Sequence, residues 1–529
     1  MHLRYGLIVL SLLVAGACGL AQAAVAEAHV TGGRIKGQIN QDVASFKGIP
    51  FAAPPVGTLR WKVPQPIKRW TGVRDASAFA PPCIQPWGEH EKERPSEDCL
   101  YLNVWTAAAS PRERRPVIVW VHGGSLTGGM SSEKGSDGSH FAREGVVLVT
   151  IAYRLGALGF LAHPELTREH GSASGNYGLH DMVAALKWVQ ANIAQFGSDP
   201  ARVTVMGGSA GAFAVSVLSA SPRAKGLYAR AIALGGTAMF PAASDDPQSQ
   251  YFSPTLEYGE SQGEALFKLA GAQSLSAARA MPPAKFMKAM EGSKVRIGTI
   301  RDGVLIQGAN RERFNNGQFN DTPILIGYNS DEAGDPGPKV TAASANADLD
   351  KAPCKPTHAA FEAAYPAFKT DEEARALVRK VNRDANLGWS TWEWARLQSA
   401  KGRSPAYAYF FDIHGADKPH GAPHATEYPY VFGNFWFKPT ENDLTISNLL
   451  RRYLINFATN GDPNGPGLPE WKKFDERSNR AFVIDDKPSS REWPSLAGIK
   501  AFDAFYACVV EEEKAQSPQV GVSPQPADH

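Results

Sequence analysis

Five residues near the middle of the chain have the spacing of a reactive-serine turn. Residues 207–211 read Gly-Gly-Ser-Ala-Gly and fit the pattern G-x-S-x-G. The apolar run Val203–Met206 precedes them and small residues follow from Ala210, so a strand, a sharp turn and a helix are predicted in that order. Such a turn presents the serine hydroxyl at a sheet edge, and glycines leave room for its strained backbone. An ordinary Gly/Ser turn is the alternative, but this context predicts a nucleophilic Ser209.

Alternating strands and helices are predicted around that turn. The helical spacing of Asp181–Phe196 predicts a helix that ends before Gly197, Asp199 and Pro200. Segment 245–290 is predicted to be more helical and to contribute to a cap. The pattern indicates an α/β fold with a large, mixed, mostly parallel sheet and helices on both faces. Apolar runs bounded by turn residues predict the buried strands 117–121, 146–151, 203–206, 323–327 and 406–411.

The charge balance argues against a polyanionic partner. The chain has 529 residues with 55 Lys and Arg against 53 Asp and Glu, a formal net charge of +2. This leaves no electrostatic footprint for nucleic acid or an anionic membrane. Basic pairs such as Arg451-Arg452 are predicted to be solvated. We expect one large domain over residues 24–514 and a disordered tail over 515–529, which has few apolar groups.

The first 23 residues have the features of a signal peptide. Arg4 and the apolar run Leu7–Ala17 precede residues 21–23, an A-x-A cleavage pattern, with Ala26 as an alternative cleavage point. The apolar run is too short to span a bilayer. Cys18 suggests a lipoprotein alternative, but the residues before it do not fit a lipobox well. The sequence therefore predicts a secreted or periplasmic protein.

Cleavage after residue 23 leaves four cysteines, an even number that suits an oxidising compartment. We expect Cys83 to pair with Cys99 across a short loop. Elimination then pairs Cys354 with Cys508. No cysteine or histidine spacing indicates a metal site.

Several further blocks resemble the type B carboxylesterases, the family that includes the cholinesterases and the bacterial para-nitrobenzyl esterases. The resemblance runs from about residue 30 to about residue 510. It implies the α/β-hydrolase fold with helical cap insertions and an ester hydrolase that needs no metal or organic cofactor. It also supports the disulfide between Cys83 and Cys99. The blocks are 46–57, 96–105, 152–156, 175–179 and 457–463.

The resemblance implies an acid and a base for Ser209. Segment 327–332 is similar to the family segment that carries the catalytic glutamate, which falls on Glu332. Asp331 is an equal candidate on residue type alone. Segment 421–433 resembles the catalytic-histidine block and implies His424, ahead of its neighbours His414 and His420. The order Ser209, Glu332, His424 is that of the fold.

The resemblance also implies an oxyanion hole, in which backbone N–H groups bind the developing negative charge. The loop after residue 122 is similar to the family's oxyanion loop. The expected donors are the N–H groups of Gly124, Ser125 and Ala210. His122 is expected to shape the loop.

Two positions depart from the family pattern. Gly208 stands where relatives commonly have a glutamate, which argues against cationic substrates such as choline esters. Gly235 stands where a serine hydroxyl is expected to support the acid, and Thr237 or an ordered water is the expected substitute. The choline-binding tryptophan of the cholinesterases is not transferred to Trp87, because the spacing to Cys99 fits poorly.

The expected function is therefore hydrolysis of small-to-medium, uncharged carboxylic esters through an acyl-serine intermediate. A more specialised esterase, for feruloyl, polycarboxylate or lipid esters, is the alternative within enzymes. A catalytically inactive binding or adhesion protein is the alternative outside them, since the family includes such members. The oligomeric state is left open.

Overall fold

The computed structural model describes residues 25–86, 94–240, 254–345, 353–415 and 418–516. Its central element is an eleven-stranded mixed sheet of order β14-β13-β12-β11-β10-β9-β7-β8-β6-β4-β3, beside a small sheet of order β1-β2-β5. In the described part of the chain, the strands are β1 Glu27–Val30, β2 Gly33–Lys36, β3 Gln38–Asn40, β4 Val43–Pro50, β5 Val73–Asp75, β6 Tyr101–Thr106, β7 Arg115–Val121, β8 Val147–Ile151, β9 Ser198–Gly208, β10 Arg230–Leu234, β11 Ile324–Asn329, β12 Ala406–Phe411, β13 Arg480–Ile484 and β14 Ser489–Glu492.

The middle of the large sheet is parallel, from β13 to β8, and its edges are antiparallel. Alternate residues of β7 enter different apolar clusters: Val119 packs in the cluster with Leu186 and Val215, whereas Trp120 packs in the cluster with Leu450. Since successive strand residues point to opposite faces, both faces are covered by helices. The predicted mixed sheet with helices on both faces is confirmed.

The helices that cover the sheet and form the cap are interspersed between the strands. They are α1 Ser139–Arg143, α2 Gly156–Phe160, α3 Pro164–His170, α4 Tyr177–Asn192, α5 Ala210–Ala220, α6 Leu256–Ala270, α7 Leu275–Ala280, α8 Ala284–Met290, α9 Asn310–Asn315, α10 His358–Ala364, α11 Asp371–Arg383, α12 Trp389–Lys401, α13 Tyr428–Phe432, α14 Glu441–Asn460 and α15 Leu496–Gln516. A π-helical turn, Asp384–Gly388, joins α11 to α12. Among the described helices, none has the length and apolar character needed to cross a membrane.

Three sequence predictions about element boundaries need correction. Helix α4 begins at Tyr177, four residues before the predicted start, and β9 includes Asp199 and Pro200, which were predicted to end the helix ahead of a strand that begins only at Val203. The register between β7 and β9 shifts there, so the proline lies at an irregularity where no ladder N–H is needed. Helix α15 continues to Gln516, two residues into the predicted tail, because Glu, Lys, Ala and Gln there are strong helix formers.

The basic pair at residues 451–452 is also not solvated as a pair. Arg451 is 5% exposed. Its Nε donates to Glu144 Oε1 at 2.8 Å and its Nη1 donates to Ser447 Oγ at 2.7 Å. A charged side chain can be buried when such partners satisfy it.

Both expected disulfides are present, Cys83–Cys99 and Cys354–Cys508. Cap helices α6, α7 and α8 lie within the segment that the sequence assigned to a cap, and part of that segment, residues 245–253, lies outside the described residues. The predicted signal peptide and the predicted tail beyond Gln516 also lie outside them.

Candidate active site

Ser209 lies between the end of β9 and the start of α5, on a strained bend. Its φ is 55° and its ψ is −121°, a conformation that costs a residue with a side chain about 1–3 kcal/mol. The Ser209 N–H donates to the carbonyl of Leu234 at 2.8 Å, and its own carbonyl accepts from Phe213 N–H at 2.9 Å. These bonds to β10 and α5 hold the bend, which presents the hydroxyl as the sequence predicted.

The glycines around Ser209 are required by close backbone approach. A Cβ on Gly207 would lie 2.3 Å from the carbonyl carbon of Gly211, and a Cβ on Gly211 would lie 2.1 Å from the carbonyl oxygen of Val121. Both distances are far inside van der Waals contact. The pattern G-x-S-x-G therefore reflects the packing of the elbow against β7.

His424 lies in the loop between β12 and α13 and bridges the other two predicted residues. Its Nε2 is 2.8 Å from Ser209 Oγ, and its Nδ1 is hydrogen-bonded to Glu332 Oε2. Burial lowers the pKa of His424, but the charge and hydrogen bond of Glu332 outweigh burial and raise it to about 9. Three residues far apart in sequence are thus joined in one chain of hydrogen bonds. The competing histidines differ, since His414 is within 3.6 Å of Asp412 and has no contact with Ser209.

Glu332 lies in the turn that follows β11, with both carboxylate oxygens occupied. Oε2 faces the histidine, and Oε1 accepts the backbone N–H of Asn329 at 2.8 Å. The neighbouring Asp331 points elsewhere: its carboxylate accepts from Arg379 Nη1 at 2.7 Å. Of the two carboxylates that the sequence left open, only Glu332 contacts His424 in this structure.

Asn329 connects the acid loop to the histidine loop, a contribution that the sequence prediction missed. Its Nδ2 donates to the carbonyl of Pro423 at 2.8 Å and to Glu427 Oε2 at 2.5 Å, while its backbone N–H serves Glu332. The signal was its place at the carboxyl end of β11, three residues before the acid. A polar residue there is close to every group that the sheet edge presents.

Gly235 lies beside Glu332, where the sequence expected a supporting hydroxyl. A Cβ on Gly235 would lie 3.1 Å from Glu332 Oε1, and its φ of 60° also favours glycine. The expected substitute Thr237 is engaged differently, since its hydroxyl accepts from Met239 N–H at 3.1 Å. The hydrogen bond that Glu332 Oε1 accepts in this structure comes from the Asn329 backbone N–H.

The predicted oxyanion loop packs directly on the elbow. A Cβ on Gly123 would be 3.0 Å from Ser209 Cβ. Gly124, Ser125 and Leu126 all have positive φ, at 101°, 56° and 60°. Among the described residues, none accepts a hydrogen bond from the N–H of Gly124, Ser125 or Ala210. These free donors beside a serine hydroxyl are suited to binding an oxyanion.

His122 supports the loop as a neutral group. Burial lowers the pKa of His122 to about 4, although the hydrogen bond to Gly123 opposes this. Its Nδ1 is 2.9 Å from the Gly123 carbonyl oxygen, and its ring stacks on Tyr153 with a centroid separation of 4.4 Å.

Gly208 has the phenol of Tyr428 where a side chain would otherwise lie. A Cβ on Gly208 would be 2.2 Å from Tyr428 Oη and 2.7 Å from Trp120 Cη2. The Tyr428 ring is held edge-to-face on Trp120, whose indole packs edge-to-face on Phe432. The glutamate common in relatives is therefore sterically incompatible with this tyrosine.

Glu427 is a second buried carboxyl group beside the histidine, 1% exposed. Burial, followed by the charge of Glu332, raises the pKa of Glu427 to about 7. The Asn329 carboxamide contacts one of its oxygens. The site thus holds a carboxyl group that keeps its proton to near-neutral pH.

A cavity of about 210 Å³ opens in front of Ser209 and His424. It is lined by Ser209, Phe213, Gly235, Gly236, Thr237, Phe240, Glu332, Ala333, Asn382, Arg383, Asn386, Leu387 and His424. In the described residues, the one grouping of three potential metal ligands is Cys354, Cys508 and Glu512, where the two sulfurs are bonded to each other.

Comparison with known proteins shows the family of the chain. Residues 22–496 match the model of the carboxylesterase family. The chain belongs to this family. The chain is 37% identical to the fumonisin B1 esterase of Sphingopyxis macrogoltabida over 498 residues, 89% of each protein. It is 34% identical to the human cocaine esterase over 480 residues, 83% of each.

Solved structures of carboxylesterases have the same fold. A PNB esterase superposes with a TM-score of 0.77 at 31% identity, covering 90% of this chain and 100% of that one. A carboxylesterase of Geobacillus stearothermophilus gives a TM-score of 0.76 at 32% identity, with the same coverage. The chain is a carboxylic ester hydrolase with the α/β-hydrolase fold.

Proposed function

We propose that this carboxylesterase hydrolyses its ester through a Ser209–His424–Glu332 triad and an acyl-serine intermediate. The observation that carries the proposal is the continuous hydrogen-bonded chain from the Ser209 hydroxyl through both imidazole nitrogens to Glu332. His424 Nε2 takes the hydroxyl proton as Oγ bonds to the ester carbonyl carbon. Glu332 orients the ring and stabilises the imidazolium that forms.

The negative charge that develops on the carbonyl oxygen is bound by the N–H groups of Gly124, Ser125 and Ala210. Each such donor contributes about 3 kcal/mol to transition-state stabilisation in comparable sites. When the tetrahedral intermediate collapses, the bond to the alcohol oxygen breaks and His424 returns the proton to that oxygen. Water then attacks the acyl-serine by the same route, and the carboxylic acid leaves.

Labelling with an organophosphate tests the triad. A reactive fluorophosphonate should modify Ser209 stoichiometrically, and peptide sequencing should place the label there. Ser209→Ala should lose both labelling and hydrolysis of p-nitrophenyl acetate while its circular dichroism spectrum is unchanged. Ser221→Ala, directly after α5, is the control for loss of a buried serine hydroxyl, since Ser221 Oγ donates to the Leu305 carbonyl at 2.7 Å; it should keep both labelling and hydrolysis. Hydrolysis by Ser209→Ala at the wild-type rate would exclude the triad, and absence of both activities from the wild type would favour the binding-protein alternative.

The substrate class we propose is small-to-medium uncharged esters. The absence of a side chain at Gly208 removes the carboxylate that relatives place beside the nucleophile, so a cationic alcohol group has no counter-charge there. Butyrylcholine and its neutral carbon analogue, 3,3-dimethylbutyl butyrate, have nearly the same shape. We expect a higher kcat/KM for the neutral ester, and the reverse ranking would contradict this substrate class.

We further propose that the protein is exported after cleavage of residues 1–23. The two disulfides support an oxidising destination. Expression of the full chain in a bacterium with a secretory pathway, followed by N-terminal sequencing, should give a start at Ala24, or at Glu27 if the alternative cleavage after Ala26 is used. An intact Met1 or a lipidated Cys18 on the active protein would contradict cleavage at this point.

A further inference from the structure

The cavity in front of Ser209 is lined by both apolar and polar side chains. The apolar part of the lining comes from Phe213, Phe240, Leu387 and Ala333. The polar part includes Asn382, near the end of α11, and Asn386, in the π-helical turn. An apolar pocket with a few placed polar groups is the usual form of a small-molecule site, in which the polar groups set orientation and specificity.

Both carboxamides are available to a ligand. They are four residues apart and therefore lie on one side of the helix. Both residues are exposed. Asn386 Nδ2 donates to the Asn382 carbonyl at 2.9 Å, which fixes the Asn386 side chain but leaves its Oδ1 and one N–H free. The Asn382 carboxamide makes no hydrogen bond to the described residues, so it can rotate to present a donor or an acceptor.

The guanidinium that also lines the cavity is already paired inside the protein. Arg383 Nε donates to Asp384 Oδ1 at 2.8 Å, its Nη1 to the Ser330 carbonyl at 3.0 Å and its Nη2 to Ser495 Oγ at 2.5 Å. Its positive charge is balanced by the Asp384 carboxylate. The two carboxamides, in contrast, offer donors and acceptors without a net charge, which suits an uncharged polar group better than a carboxylate.

From this lining we infer that Asn382 and Asn386 form a subsite for an uncharged group that can hydrogen-bond, such as a hydroxyl or a carbonyl. This group would belong to the part of the ester that is remote from the scissile bond. The inference rests on the proposed function, because the subsite is defined relative to Ser209. The cavity volume of about 210 Å³ exceeds the roughly 150 Å³ of an engineered protein cavity that holds benzene, a six-carbon molecule. A chain of about six carbons with a terminal hydroxyl therefore matches it.

Two matched pairs of esters test the subsite whichever half of the ester enters the cavity. One pair is p-nitrophenyl hexanoate and p-nitrophenyl 6-hydroxyhexanoate, and the other is hexyl acetate and 6-hydroxyhexyl acetate. We expect the hydroxylated member of one pair to have a kcat/KM higher by about five- to tenfold, the effect of one net hydrogen bond. In Asn382→Leu/Asn386→Leu that ratio should fall to near unity.

Asn442→Leu is the control, since it makes the same change on the surface helix α14, where Asn442 contacts Asp486; it should keep the wild-type ratio. A ratio near unity in the wild type for both pairs, or a ratio that survives the double substitution, would overturn the subsite. A higher kcat/KM for the adipate monoester, which ends in a carboxylate, than for the hydroxyhexanoate would overturn its uncharged character. These outcomes test the subsite separately from the proposed triad. The triad proposal would instead fail if Ser209→Ala kept its hydrolytic activity.

Discussion

Replacing Gly208 by alanine tests the close approach between the elbow and Tyr428. The added Cβ would lie 2.2 Å from Tyr428 Oη and 2.5 Å from Cζ, whereas carbon and oxygen atoms in contact lie about 3.5 Å apart. Something must move by more than 1 Å. The tyrosine ring is backed by Trp120, which in turn is backed by Phe432, so the ring cannot retreat without repacking a buried cluster.

Two costs follow from that overlap. If the aromatic cluster moves, overpacking should destabilise the fold by about 1–3 kcal/mol. If the backbone moves, Ser209 shifts relative to His424, and a misplacement on the order of 1 Å costs about 100-fold in rate. We therefore expect Gly208→Ala to lower kcat by about ten- to 100-fold, the guanidinium unfolding midpoint to fall, or both.

Kinetics on p-nitrophenyl acetate and equilibrium unfolding separate these two effects. Tyr428→Leu removes the two closest overlapping atoms and leaves the contact with Trp120 Cη2 at 2.7 Å, so the double variant Gly208→Ala/Tyr428→Leu should recover part of the loss of the single alanine variant. Gly298→Ala is the control, because a Cβ there would meet nothing within 4 Å. Wild-type kcat and midpoint in Gly208→Ala, or a double variant no better than the single one, would refute the steric reasoning.

Four further outcomes follow from the site. Glu332→Gln should lower kcat by about three to four orders of magnitude, far more than Asp331→Asn, and the opposite order in steady-state kinetics would transfer the acid role to Asp331. Glu332 raises the pKa of His424 to about 9, so kcat/KM of the wild type should rise with pH towards that value as the imidazole becomes neutral. The residual kcat/KM of Glu332→Gln should rise at lower pH, and a pH profile with the same midpoint in both proteins would contradict this. Asn329→Ala should lower kcat by about tenfold with little change in KM, because Glu427 and the histidine loop lose a buried partner. The raised pKa of Glu427 means that the folded state holds a proton which the unfolded state releases, so wild-type stability relative to Glu427→Gln should decline as pH rises from about 4.5 to about 7 and then level off, as measured by urea unfolding.

The sequence predicted the parts of the fold that depend on local pattern. Strand Ala406–Phe411 was predicted with its observed bounds, because an apolar run between turn residues has few alternatives. The start of α4 at Tyr177 was missed because it depends on Asn176, whose left-handed backbone and contact with the distant Ile300 carbonyl are tertiary features. The local pattern of residue types gives no information about such long-range hydrogen bonds.

In the candidate site, too, local features could be predicted from the sequence and long-range contacts could not. The Ser209 turn could be predicted from residue types and spacing, whereas the choice of Glu332 over Asp331 needed the family resemblance. The hydrogen bond from the Asn329 backbone N–H to Glu332 was not predicted, because almost any residue type can supply a backbone N–H. The Gly208–Tyr428 approach was also missed, because it joins residues more than 200 positions apart and becomes visible only when both are placed in space.

The bond between Cys354 and Cys508 encloses His424 in a covalent ring with a sequence separation of 154, while Ser209 and Glu332 lie outside it. By the chain-entropy relation, closing a ring of this size restricts the unfolded chain by about 5 kcal/mol. The disulfide therefore restricts the chain segment that carries His424, whereas the segments that carry Ser209 and Glu332 reach the site without that restriction.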